Sequence, residues 1–227
     1  MSLLTVGHRG LMGVEPENTL RSFRRARRAG LDAIELDLRL SRDGALVVLH
    51  DARVDRTTDG RGAVAELTLA ELRALDAGRG ERVPLLAEVV AEIDGPLQLE
   101  IKDVAAAGEL AAFVDRHGLT GRVTVISFHD VALAAFAAAL PAVPRGLVTG
   151  TSTATAPERA AALGCALVSC ALPRLDAEVV TRCRAAGLPV LAWTVNTEAE
   201  LARARELGLA GVVTDRPEIV RAARSAG

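Results

Sequence analysis

Short, apolar, β-prone runs alternate with amphipathic segments rich in Ala and Arg along nearly the whole chain. No other feature restricts the fold as much. The apolar runs predict strands over residues 3–7, 33–40, 97–102, 123–127, 145–149, 166–170, 189–194 and 210–214. The segments between them predict helices over 19–29, 105–117, 131–140, 156–163, 176–186, 198–207 and 217–224. Gly30, Gly118, Gly164, Gly187 and Gly208 stand where these helices should end, as C-terminal caps do. Eight strands alternating with helices in 227 residues predict a single-domain (β/α)₈ TIM barrel spanning 1–227, with an open doubly wound sheet as the alternative. Residues 41–96 break the rhythm. They hold a further β-like run at 45–50, a polar turn region from Arg56 to Gly62, and helical pieces at 69–75 and 85–93. Long excursions inside compact domains are usually functional, so this one is read as a short insertion after the second strand, lying over the barrel mouth.

Polar residues occupy strand ends where a core would take Leu or Val: His8-Arg9-Gly10, Glu35-Leu36-Asp37, His50-Asp51 and Glu100-Ile101-Lys102. Strand side chains alternate faces, so Glu35 and Asp37 point one way, and Glu100 and Lys102 share a face. In a parallel barrel, chemistry lies at the C-terminal strand ends, where Trp193, Asn196 and Asp215 also fall. Three carboxylates converging there raise one another's pKa unless a cation compensates them. Ligands that are all oxygen favour Mg²⁺ or Ca²⁺ over Zn²⁺. A structural ion pair with arginine would account for one such carboxylate, but not for three on adjacent strands. His8 and His50 beside this cluster suit general acid–base work near neutral pH, with Arg9 and Lys102 as phosphate contacts. Lys102 is the one lysine among 27 basic residues. A compact ammonium does what a forked guanidinium cannot in a tight site, which sets a functional role against chance survival in an Arg-biased chain. His117, beside Gly118, is read as a helix C-terminal residue, and His129 as a loop residue without an assigned role. Asn18 or Thr19 caps the first helix.

The rest of the sequence mainly excludes. A net charge of −2 and a pI near 6.1 imply no general attraction to nucleic acid or anionic membrane. The longest apolar run, 131–140, is too short to span a bilayer, and the first six residues carry no signal-peptide pattern, so a soluble cytoplasmic protein is expected. Cys165, Cys170 and Cys183 match no zinc or redox spacing and are read as small buried hydrophobes. Residues 1–30 have no glycine-rich phosphate loop, and no Gly-x-Ser-x-Gly elbow is present. Both a nucleoside triphosphate site and a serine hydrolase are therefore disfavoured.

Taken together, the chain resembles the glycerophosphodiester phosphodiesterase family. The resembling segments run in family order: His8-Arg9-Gly10, Pro16-Glu17-Asn18-Thr19 with Ser22-Phe23, 34–38, Asp43-Gly44, 47–51, Asp55-Arg56-Thr57-Thr58, Glu100-Ile101-Lys102, Trp193-Thr194-Val195-Asn196 and 211–217. The resemblance implies a TIM barrel that hydrolyses glycerophosphodiesters to sn-glycerol 3-phosphate and an alcohol. Glu35, Asp37 and Glu100 would bind the metal, His8 and His50 would form the acid–base pair, and Arg9 and Lys102 would contact phosphate. Attack would come from the substrate's own glycerol hydroxyl, through a cyclic phosphate, or from water. Aromatics make up 2% of the chain, leaving Phe128 and Trp193 to cradle glycerol. The modest insertion does not support a bulky lipid-binding cap, and His129 after Ser127-Phe128 departs from the pattern. A small-molecule glycerophosphodiester is the expected partner. The alternatives are a lysophospholipase D-like enzyme, a non-catalytic barrel that binds a phosphorylated ligand, and an unrelated barrel metallohydrolase. The last would need more histidines than the four present.

Overall fold

The computed structural model describes residues 3–151 and 153–224. Eight parallel strands form a closed barrel: β1 (Leu4–Gly7), β2 (Ala33–Leu40), β4 (Leu97–Ile101), β5 (Val123–Ser127), β6 (Arg145–Thr149), β7 (Leu167–Ala171), β8 (Val190–Trp193) and β9 (Gly211–Thr214). The ring closes where β1 pairs with β9 on one side and β2 on the other. A ninth strand, β3 (Leu46–Val48), runs antiparallel to β2 outside the ring. The helices are α1 (Leu20–Ala29), α2 (Leu69–Ala74), α3 (Leu86–Glu92), α4 (Ala106–Arg116), α5 (Asp130–Ala139), α6 (Ala156–Ala162), α7 (Ala177–Ala185), α8 (Glu198–Glu206) and α9 (Pro217–Arg224). No helix among the described residues is long and apolar enough to cross a membrane.

The sequence explains the element boundaries locally. Thr19, not Asn18, caps α1: its hydroxyl accepts a hydrogen bond from the Ser22 N–H, and the helix stops at Gly30 with φ +82°. Buried Leu, Val and Ala side chains fill the space between the ring and its helices in two large clusters. A small cluster including Val6, Leu191 and Val213 forms separately from these two, on strands β1, β8 and β9. Cys165, Cys170 and Cys183 are buried and unpaired.

The excursion at 41–96 divides in two. Its last helix, α3, packs Leu86 and Val89 into the outer shell and serves as the barrel helix before β4. The preceding stretch has its own small core, including Val47, Leu49, Val54, Val64 and Leu72. That core gives the loop carrying His50 a rigid footing.

Candidate active site

The strand register of β2 and β4 sets the centre of the site. Glu35 lies opposite Gln98, and Asp37 opposite Glu100. Carboxylate oxygens of Glu35, Asp37 and Glu100 lie within 4.8 Å of one another, and all three residues are buried. Burial pushes Glu35 well above the usual carboxylate range, reinforced by the charges of Asp37 and Glu100. Glu100 is pushed up to about 7, by burial first and then by Asp37, against the opposing pull of Lys102.

Each carboxylate is also held by its neighbours. Glu35 Oε2 accepts from the Arg9 N–H at 2.9 Å, while its Oε1 is buried without a partner. Asp37 Oδ2 accepts from Asn18 Nδ2 at 2.8 Å, and Asn18 Oδ1 accepts in return from the Asp37 N–H at 3.3 Å. Asn18 adopts φ +56°, a conformation asparagine tolerates better than most residues. Lys102 Nζ donates to Glu100 Oε1 at 2.7 Å and lies 3.7 Å from Asp37 Oδ1. Arg9 Nε lies 3.3 Å from Asp37 Oδ2. A hard, oxygen-only donor set with an orphaned carboxylate oxygen fits a divalent cation.

Two histidines face the same cavity, each anchored by an aspartate. His8 Nδ1 lies 2.7 Å from Asp215 Oδ1, and Asp215 Oδ2 accepts from Asn196 Nδ2 at 2.6 Å. Burial alone would raise Asp215, but the His8 and Asn196 hydrogen bonds and the charges of His8 and Arg9 hold it below its usual value. His50 Nδ1 lies 2.6 Å from Asp51 Oδ1, and Asp51 accepts from the Arg56 guanidinium. Arg56 then grips both oxygens of Glu17, which also accepts from Arg9 Nη1 at 2.8 Å. A chain of charges thus ties the two histidine loops together. Burial lowers the His50 pKa despite the nearby Asp37 and Asp51.

The cavity, of about 100 Å³, is lined by His8, Arg9, Glu35, His50, Glu100, Lys102, Phe128 and Trp193, and Asp37 joins it through the carboxylate cluster with Glu35 and Glu100. Phe128 meets Trp193 edge to face at 5.7 Å, and Lys102 Nζ lies 5.3 Å from the Phe128 ring centroid. The sequence-predicted set is therefore brought together at one place. His117 ends α4 against Phe113, and His129 stands ahead of α5; neither lines the cavity. Asp51, Asp215, Asn196, Glu17 and Arg56 carry no role predicted from the sequence pattern, and Asn18 is predicted only as a helix cap. Asp51 has an adjacent-position signal, whereas Asp215 and Arg56 reach their partners only through the fold.

A model of the glycerophosphoryl diester phosphodiesterase family matches residues 8–219. A glycerophosphodiester phosphodiesterase from Caldanaerobacter subterraneus subsp. tengcongensis is 34% identical, with 96% of each chain covered. One from Bacillus subtilis is 31% identical over 96% of this chain and 85% of its own. An Oleispira antarctica phosphodiesterase solved with its product sn-glycerol-3-phosphate matches with a TM-score of 0.89 at 32% identity, covering 99% of this chain and 98% of the other.

Proposed function

Since the chain belongs to the glycerophosphoryl diester phosphodiesterase family, a family of hydrolases, we propose that it cleaves small glycerophosphodiesters such as glycerophosphocholine and glycerophosphoethanolamine. The products are sn-glycerol 3-phosphate and an alcohol. The observation that carries this reading is the pairing of two aspartate-anchored imidazoles with a buried three-carboxylate cluster around one cavity. Glu35, Asp37 and Glu100 would hold Mg²⁺ or Ca²⁺, which when bound offsets negative charge on the phosphoryl oxygens.

With Nδ1 committed to a carboxylate, each histidine presents Nε2 to substrate. His50, whose burial favours the neutral imidazole, takes the proton from the attacking hydroxyl. His8, steadied by Asp215, gives a proton to the departing alcohol oxygen. Direct water attack needs these two transfers once; through a cyclic phosphate they serve ring closure, and ring opening then runs them in reverse, His8 taking the proton of water and His50 returning its proton to the glycerol oxygen. Lys102 and Arg9 orient the phosphoryl group, while Phe128 and Trp193 wall the glycerol. The test is release of glycerol 3-phosphate from glycerophosphocholine, abolished by EDTA and restored by Mg²⁺ or Ca²⁺. No release from any glycerophosphodiester or lysolipid with either cation would leave a non-catalytic binding barrel as the better reading.

One observation favours a second reading, cleavage of lysophospholipids. Val104, Phe128 and Val131, three of the exposed large apolar side chains, follow β4 and β5 at the barrel mouth. A lysolipid cleaved faster than glycerophosphocholine, with that advantage lost in Val131→Asp, would support it.

A further inference from the structure

The two strands that carry the carboxylates present a two-by-two array of oxygen-bearing side chains. Glu35 and Gln98 are register partners, and two residues further on so are Asp37 and Glu100. Three corners are the carboxylates already described. The fourth, Gln98, is 4% exposed and lines the same cavity. Among the described residues, two buried side-chain oxygens lack any hydrogen-bond partner: Glu35 Oε1 and Gln98 Oε1. They stand on partnered positions of adjacent strands.

That coincidence needs a cause. An amide oxygen buried without a partner is unfavourable. A leucine at 98 would fill the space without that cost. Both orphans are acceptors, so a donor or a cation must satisfy them in the working protein. A substrate hydroxyl carries one proton and can satisfy one of them; a water molecule or a cation can satisfy both at once, and of these only a cation also offsets the charge of the three buried carboxylates beside them. Ca²⁺ readily takes neutral amide oxygens alongside carboxylates.

We propose that Gln98 Oε1 is a fourth protein ligand of the cation site, completing the array with Glu35, Asp37 and Glu100. The neutral amide adds a donor without a fourth negative charge in an interior that already holds three. The inference rests on the divalent-cation reading above.

The test uses the full chain, with Ca²⁺ affinity by calorimetric titration and Tb³⁺ luminescence lifetimes in H₂O and D₂O. Trp193, the single tryptophan, lines the cavity and serves as sensitiser. In Gln98→Leu, Ca²⁺ binding should weaken about tenfold or more, and bound Tb³⁺ should gain about one coordinated water. In the nearly isosteric Gln98→Glu, the water count should stay at the wild-type value and Ca²⁺ should bind more tightly. Wild-type affinity in Gln98→Leu, or weaker binding with no added water, would overturn the ligand role. If Gln98→Leu does not fold, Gln98→Glu with unchanged Ca²⁺ affinity would overturn it. A wild-type chain that binds neither ion would overturn the cation site itself along with this ligand.

Discussion

A histidine whose Nδ1 is tied to a carboxylate keeps one ring nitrogen for chemistry, so the aspartates behind His8 and His50 matter as much as the rings. Asp215→Asn and Asp51→Asn should each leave the protein folded while lowering turnover by about 10²-fold or more, since an amide can fix the wrong tautomer. Steady-state kinetics on folded variants checks this. His8→Ala and His50→Ala should each cost about 10²–10⁴-fold on an ordinary alkyl diester. A p-nitrophenyl diester, whose leaving group needs no proton, should restore much of the rate to His8→Ala and little to His50→Ala. Equal rescue of both would undo the division of roles. Lys102 is largely enclosed by Glu100, Asp37 and the Phe128 ring, and its side chain is 13% exposed. Lys102→Arg should therefore lower kcat about tenfold or more although charge is kept, because a planar fork does not fit a point-charge site; unchanged kinetics would return Lys102 to an incidental role. Residue types at strand ends made the two rings, the three carboxylates and both cations readable from sequence. The partners were harder, because Asp215 meets His8 across 207 positions and no local spacing encodes that.

At the scale of elements, the barrel strands were legible because their runs are apolar on both faces, as strands covered by a ring of helices must be. Direction was not. The run at 45–50 has the same composition as a barrel strand, yet β3 turns back antiparallel on β2 through the tight Ser41–Ala45 turn, where Gly44 sits at φ +81°. Nor did pattern alone reveal that α3 belongs to the barrel and not to the insertion. One carboxylate ties several elements together. Asp32, ahead of β2, accepts from the Thr5 N–H and hydroxyl on β1 and from Arg224 on α9. Burial would raise its pKa, but those hydrogen bonds and the Arg224 charge outweigh it and leave the value lowered. A lowered folded-state pKa means stability that is present above the unfolded value, near 3.8, and lost as pH falls through the folded value. Asp32→Asn should therefore cost about 1 kcal/mol at pH 7, a small loss because the site is part-exposed. The gap between variant and wild type should close in denaturation curves taken below that range. A gap that widens in acid would contradict the assignment.

At the scale of the whole molecule, the ring is closed by its first and last strands. β1 pairs with β9 over four registered positions and with β2 over two. A chain cut after residue 209 loses β9 and Asp215, and leaves β1 and β8 as open edges. It should be inactive and should self-associate, which light scattering beside an activity assay would register. A monomeric, active fragment would refute the closure argument. The His8–Asp215 contact also has a meaning in time. During synthesis, His8 emerges from the ribosome long before its aspartate has been polymerised, and the carboxylate cluster waits in a sheet that is still open. Hydrolytic competence cannot accumulate gradually with chain length; it arrives in a single step as the ninth strand docks, so every translation product that stops short of that strand is silent toward the diester pool.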